Sequence, residues 1–342
     1  MKTLSTEATI QQRLAEITTK FENCRVLIIG DAIADRFVYG NISRVSREAP
    51  VFILRHEHTE TLPGGAANCA VNVAALGARV SLLAVTGNDE PGQQLRSKLV
   101  SAGVNTASLL VSENWRTTTK ERILAGQAHS TRQQVIRIDY EGSQIENEGL
   151  RKSIVETLSA NIANCDVVII SDYNYGVVDD NLIESIRTQA SANSLPVLVD
   201  SRFRLSSFTD FTAATPNEDE LEHLIGEAIQ DQEHLENSAC QLNKALNTQA
   251  LLVTRGGQGM MLIERNQQPW HIPAVGAAQP VDVTGAGDTV IATFALAIAS
   301  KASFLEAAAL ANHAGGLVVM KRGTASVSAH ELRESILSEE DE

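Results

Sequence analysis

Five short, unbroken apolar runs constrain the fold of this chain more than any other feature. Residues 25–29 (RVLII) run into Gly30-Asp31, 79–85 (RVSLLAV) into Thr86-Gly87, and 166–170 (DVVII) into Ser171-Asp172. Residues 196–199 (PVLV) end in Asp200, and 250–253 (ALLV) end in Thr254-Arg255-Gly256-Gly257. None alternates with polar residues, as expected of strands covered on both faces. Each stops at small or acidic residues, where open α/β sheets bind their ligands. Helical patterns over 146–162, 182–192 and 218–225 separate the runs. This alternation predicts an α/β fold with a doubly wound, mainly parallel sheet.

Two segments break the rhythm. Residues 36–61 contain VFILRHEHTE, in which Val51 and Ile53 precede polar residues, and 117–139 read as strands joined at Ala125-Gly126-Gln127. Both are expected to be β-rich insertions forming a small lid over the strand ends. Ile10, Leu14 and Ile17 predict an amphipathic leading helix within residues 1–20, followed by one domain over 21–338. His56 and His58 share one face of a strand, which reads as a solvated lid face because no third ligand stands nearby.

Composition excludes several classes. With 28 Lys+Arg against 42 Asp+Glu the formal charge is −14, which repels nucleic-acid backbones, so any phosphate must be met by a local site. The richest apolar stretch, 290–299, is about half of the roughly 18 residues a membrane span needs. No apolar signal-peptide core opens the chain. The four cysteines, Cys24, Cys69, Cys165 and Cys240, are scattered, which points to free thiols in a reducing, cytoplasmic setting.

The strongest chemical signal is Asp282-Val283-Thr284-Gly285-Ala286-Gly287-Asp288-Thr289, running into the apolar stretch VIATFALAIA. Small residues before a helix bring a ligand close to unpaired first-turn amides, and the helix dipole adds to their pull on an anion. Asp288, in that same turn, could accept a proton from a substrate hydroxyl. An ordinary cap by Asp282 or Thr284 is the competing reading. In Pro63-Gly64-Gly65-Ala66-Ala67-Asn68, paired glycines open a helix and Asn68 can both donate to and accept from sugar hydroxyls. Asn217-x-x-Glu220 begins another helix, and 253–259 (VTRGGQG) is a strand end followed by glycines. Neither GxxxxGK[ST] nor GxGxxG occurs.

Together these motifs resemble the PfkB family of ribokinase-like sugar kinases, whose DTxGAGD pattern is met except for Val283 at its second position. The resemblance implies a ribokinase-like core with a small β lid and ATP and Mg²⁺ as cofactors. It makes Asp288 the catalytic base, with Gly285, Ala286 and Gly287 as an anion hole. Asp35, Gly64, Gly65 and Asn68 would hold the sugar, while Asp31 is left between a site role and a strand-end cap. Asn217 and Glu220 would position Mg²⁺ through water and phosphate. Thr254, Gly256, Gly257, Gly259 and the helix carrying Asn312 and Gly315 would flank the nucleotide. Asp282, with 323–328 (GTASVS), would border a K⁺ site, and the lid would pair two chains into a homodimer.

Within the family, GDAIADRFVYGNISRVSREAPV, PGGAANCAVNVAALGA and SDYNYG are similar to the D-glycero-β-D-manno-heptose 7-phosphate kinases. Tyr175 stands where that branch has a lysine, and Asp200-Ser201-Arg202 where it has DPK. Arg202, with Arg44, Arg47 or Arg204, would have to meet the distal phosphate instead. Many of those kinases carry a nucleotidyltransferase domain with an HxGH motif, which this sequence lacks, so the kinase half is the expectation. Another sugar or nucleoside kinase, or a silent sensor on the same scaffold, is the alternative.

Overall fold

The computed structural model describes residues 4–126, 132–142, 145–276 and 279–338. In chain order the strands are β1 (Arg25–Gly30), β2 (Ala32–Val45), β3 (Phe52–Gly65), β4 (Arg79–Gly87), β5 (Leu109–Ser112), β6 (Thr119–Gly126), β7 (Gln133–Tyr140), β8 (Val167–Asp172), β9 (Val197–Ser201), β10 (Ala213–Ala214), β11 (Ala250–Thr254), β12 (Met260–Glu264) and β13 (Trp270–Ile272). The helices are α1 (Leu4–Thr18), α2 (Ala66–Ala75), α3 (Glu90–Ser101), α4 (Glu148–Asn161), α5 (Asp180–Ala192), α6 (Glu218–Ile225), α7 (Gln232–Leu246), α8 (Ala286–Ala299), α9 (Phe304–Val318) and α10 (Ala329–Leu337).

Among these residues, one sheet runs β13-β12-β11-β10-β9-β8-β1-β4-β5. It is parallel from β11 to β5 and antiparallel only at the β11–β12 and β12–β13 pairs. β1 sits inside it, with Val26 opposite both Val80 and Val167. Successive side chains point to opposite faces. Val26 and Ile28 therefore join Leu82, Ile169 and Leu198 in a core covered by α1, α2, α8, α9 and α10. Leu27 and Ile29 join Leu83, Val168, Ile170 and Val199 in a second core covered by α4, α5 and α7. Helices on both faces explain why the predicted runs carry no polar alternation.

All five predicted runs are strands of this sheet. The sequence reading missed β10, only two residues long, and the edge pair β12 and β13. The 255–259 turn leaves no room for a crossover helix, so β12 has to return antiparallel. In α1, Leu14 and Ile17 are buried, whereas Ile10 is 53% exposed. No helix among the described residues is long and apolar enough to cross a membrane.

A second, four-stranded sheet runs β3-β2-β6-β7. β2 leaves the end of β1 with only Asp31 between them, and β3 passes directly into α2. The β2–β3 ladder extends from Ala32–Gly65 to Val45–Phe52, so Asp35, Gly64 and Gly65 lie within strands at its base. Register shifts interrupt it between Tyr39 and Gly40 and between Ile42 and Arg44, and another falls between Ile123 and Leu124 of the β6–β7 pair. The joint expected at Ala125-Gly126-Gln127 runs from β6 into residues outside the described ones.

The first core depends on large side chains from α8. Phe294 is fully buried, with its ring centroid 6.4 Å from that of Phe304. Phe294→Ala should cost about 3–5 kcal/mol in a denaturant titration, because the rigid sheet limits collapse into the void.

Candidate active site

The carboxyl ends of β1, β8 and β9, the base of the small sheet and the start of α8 converge on Asp288. The N-cap of α8 is Gly285 at φ 78°, and no side chain caps it. A Cβ at Gly285 would lie 2.6 Å from Asn68 Nδ2, so glycine is required both by the left-handed backbone and by this approach. Ala286 donates its amide to the Val283 carbonyl at 3.2 Å. Of the three anion-hole amides predicted from sequence, this one is therefore already engaged.

Asp288 is buried and its two oxygens differ. Oδ2 accepts a hydrogen bond from Asn68 Nδ2 at 2.6 Å, while Oδ1 is 3.4 Å from the Tyr173 hydroxyl. Burial pushes its pKa up to about 7; Asn68 opposes that rise, Asp35 adds to it, and Tyr173 and Lys120 oppose it. A carboxylate poised near neutrality can exchange a proton with a substrate hydroxyl.

Asp35 pairs with Arg122 across β2 and β6. A Cβ at Gly64 would lie 2.3 Å from Asp35 Oδ2, so any larger residue there would displace the carboxylate. Asp31 faces elsewhere: Oδ2 accepts from the amides of Tyr173 (2.9 Å) and Tyr175 (3.0 Å), and Oδ1 from Val177 (3.1 Å). It is a cap, as one of the two sequence readings had it, but of a loop far along the chain. Burial and the nearby Asp172 push its pKa to about 6. Desolvation, then the charges of Glu220, Asp288 and Asp172, hold Asp200 well above the usual carboxylate range.

Asn217 and Glu220 form a reciprocal capping box at α6, at 2.8 and 2.9 Å. Thr254 bridges to Asn217 in a β-like pair. A separate cavity is lined by Thr254, Gly256, Gly257, Gly259 and Asn312, together with Ala286, Gly287 and Val290 of α8. Asn312 Nδ2 donates to the Pro273 carbonyl at 2.6 Å. Asp282 joins the two segments expected to border a cation: Oδ1 accepts from the Thr284 amide and Oδ2 from the Gly323 amide, each at 2.9 Å.

Sequence reasoning singled out Arg202 but missed the other cationic members of the basic cleft it lines. Lys120, Arg137 and Arg202 line it with Tyr173 and Tyr175, and Asp139 and Glu141 share its wall. Arg137 is paired with Asp139. Among the described residues no carboxylate lies within ion-pair distance of Lys120 or Arg202. Burial lowers the Lys120 pKa, which Asp35 counters. Lys120 and Arg122 are two apart on β6, a spacing that places both on one face, but only the fold shows which face meets the site. Arg204 is committed to the Val178 carbonyl and Asp180, and Arg44 lies near the far end of β2, so neither reaches this cleft.

The architecture is that of the ribokinase-like kinases. The chain superposes on phosphofructokinase-2 from Escherichia coli in complex with substrates and products at TM-score 0.76 and 18% identity, covering 92% of this chain and 98% of that one. It superposes on Arabidopsis thaliana ribokinase complexed with ribose and ATP at TM-score 0.69 and 22% identity, covering 93% and 99%. At such identities the fold is what is shared. Residues 25–331 match the pfkB family carbohydrate kinase model, and the chain belongs to that family. It is 39% identical over 92% of its length to the bifunctional protein HldE of Desulfatibacillum aliphaticivorans, and 40% identical over 94% to that of Hahella chejuensis. It spans only 63% and 65% of those two curated relatives.

Membership of this kinase family implies ATP and, in general, Mg²⁺. The glycine-lined cavity beside α8 lets a ligand approach the backbone closely. No group of three or more metal-ligating side chains occurs among the described residues. Such a group is not required where Mg²⁺ is held largely by substrate phosphates and water.

Because the folded-state pKa of Asp288 is raised, its stability contribution is full below the unfolded value near 3.8 and is lost as pH rises through about 7. Asp288→Asn should therefore be more stable than the parent above neutrality, by up to about 4 kcal/mol, with the gain vanishing toward pH 4. Thermal melts across that range check it.

Proposed function

We propose that the chain transfers the γ-phosphoryl group of ATP to a sugar phosphate, namely heptose 7-phosphate, giving the 1,7-bisphosphate. The observation that carries this reading is the placement of Asp288: a buried carboxylate at the start of α8, with Asp35 on one side and the basic cleft on the other. The similarity of its motifs to heptose 7-phosphate kinases and its likeness to relatives called bifunctional both support it.

In this mechanism Asp35, Gly64, Gly65 and Asn68 hold the sugar. Asp288 takes the proton of the acceptor hydroxyl as its oxygen attacks phosphorus. Gly285 and Gly287 amides, joined by that of Ala286 once it leaves Val283, stabilise the charge on the transferred group. Thr254, Gly256, Gly257, Gly259 and Asn312 flank the nucleotide. Asn217 and Glu220 would hold Mg²⁺, which when bound neutralises phosphate charge. Lys120, Arg137 and Arg202 meet the distal phosphate, so that strand β6 and Arg202 replace the lysine that Tyr175 displaces. Asp282 and the Gly323 segment border a K⁺ site. The small sheet acts as a lid, and its exposed Val45, Phe52, Val135 and Ile136 support pairing with a second copy in a cytoplasmic homodimer.

ADP release across a panel of sugars and sugar phosphates tests the reading. Asp288→Asn should lower kcat by about 10²- to 10⁴-fold on the true substrate, and undiminished turnover would refute the base assignment. Lys120→Ala and Arg202→Ala should each raise KM for heptose 7-phosphate roughly tenfold to a hundredfold, the loss of one charge-assisted hydrogen bond. KM for ATP should stay constant. Turnover confined to an unphosphorylated sugar would discard the phosphate subsite and keep the kinase.

A further inference from the structure

Behind Asp288 and Asn68 lies a chain of buried polar side chains whose inner members, Asn72 and Thr289, the mechanism above does not use. Thr289 Oγ1 is 2.7 Å from Asn72 Oδ1, Asn72 Nδ2 is 3.0 Å from the Asn68 carbonyl and 3.4 Å from Asn68 Oδ1, and Asn68 Nδ2 is 2.6 Å from Asp288 Oδ2. Asn72 and Thr289 are both 0% exposed, inside the contact between α2 and α8.

The direction of every link follows from donor and acceptor chemistry. The Asn68 backbone carbonyl can only accept, so Asn72 must turn its amino group toward it. Asn72 Oδ1 then faces Thr289, whose hydroxyl donates to it; the other acceptor in its reach, the Gly285 carbonyl, is 3.4 Å away. With the Asn72 amino group also facing Asn68 Oδ1, the Asn68 amide is oriented in turn. Its own amino group points at Asp288 Oδ2, and the bare Cα of Gly285 makes room for it.

We propose that Thr289 and Asn72 are positioning residues that act through Asn68 to hold Asp288 Oδ2, leaving Oδ1 as the atom that receives the acceptor's proton. This rests on Asp288 being the base. In the step, the acceptor O–H bond breaks and Oδ1–H forms. The oxygen's electron pair makes the new bond to phosphorus as the bond to the departing ADP breaks, and the proton later leaves Oδ1 to solvent. If the chain is cut at Thr289, the Asn72 oxygen is left buried without its donor and the amide is held only through its amino group on the Asn68 carbonyl. Its hold on Asn68 Oδ1 then loosens, and Asn68 donates less well to Oδ2, which penalises the ionised carboxylate.

Other groups also face Asp288: Asp35 from β2, Lys120 from β6, Tyr173 from the loop after β8, Cys69 from α2 and Asp200 at the end of β9. Neither Thr289 nor Asn72 titrates, so replacing them reaches the pH response only through the hydrogen-bond chain.

The test compares Thr289→Val, which keeps shape and removes the donor, with Thr289→Ser, which keeps the donor, in full-length protein. In Thr289→Val, the acid limb of the pH profile of kcat/KM for the sugar substrate should move up by roughly half to one pH unit, so that kcat/KM falls roughly two- to sixfold at neutral pH. KM for ATP should hold, and Thr289→Ser should restore the parent profile. Asn72→Leu, near in volume, gives the same readout if Thr289→Val fails to show a cooperative melt. An unmoved acid limb in the folded variants, or an equal loss in Thr289→Ser, would overturn the proposal. If Asp288→Asn is nevertheless inactive, the base assignment survives that failure. An active Asp288→Asn would remove both.

Discussion

Asp31 is the residue on which the arrangement of the site depends. Its amide donates to the Ser171 carbonyl at 3.1 Å, tying the end of β1 to β8, and its carbonyl accepts from Ala66 at 3.0 Å where β3 becomes α2. Its carboxylate gathers three amides of the 173–177 loop. One side chain and one peptide unit thus hold together the central sheet, the root of the small sheet, the helix bearing Asn68 and the loop bearing Tyr173. The cost of burying this carboxylate is offset in part by those three fixed backbone donors.

The same economy governs charge across the site. The chain is strongly acidic, and burial at the strand ends, reinforced for some by neighbouring acids, pushes Asp31, Asp172, Asp200, Glu220 and Asp288 toward their neutral forms. An anionic substrate can be accepted there because the opposing charge is concentrated rather than spread. Lys120, Arg122 and Arg202 sit over the acids on one side, and the start of α8 offers its amides on the other. Destabilisation of this kind is a common companion of catalytic sites, where function rather than stability sets the residue.

What could be read from the sequence was whatever lay contiguous along it. The apolar runs declared the parallel strands because burial on both faces leaves no polar alternation, and the glycines around Asp288 declared a helix start open to an anion. Asp31 was harder: an aspartate after a strand looks the same whether it caps its own turn or a loop reached only through the fold. Lys120 and Arg202 lie in separate segments with nothing in either to say that they line one cleft. Asn72 and Thr289 read as unremarkable polar positions in apolar helices, and only the packing of α2 on α8 turns them into one hydrogen-bonded line. Tyr175 was visible as a departure, but the lysine that lines the cleft beside it comes from β6, a strand noticed only as part of an insertion.

The small sheet has no linker: β2 springs from β1 across a single residue, and β3 runs straight into α2. With so little free chain at its root, any inward movement of this sheet falls on a few element-terminal residues such as Asp31 and Gly65, or on the points where the ladders are already interrupted, at Tyr39/Gly40, at Ile42/Arg44 and at Ile123/Leu124. Asp35 and Lys120 lie on the rooted side of those interruptions, so bending there would deflect the tip and leave both in place, as the abutment of a cantilever stays put.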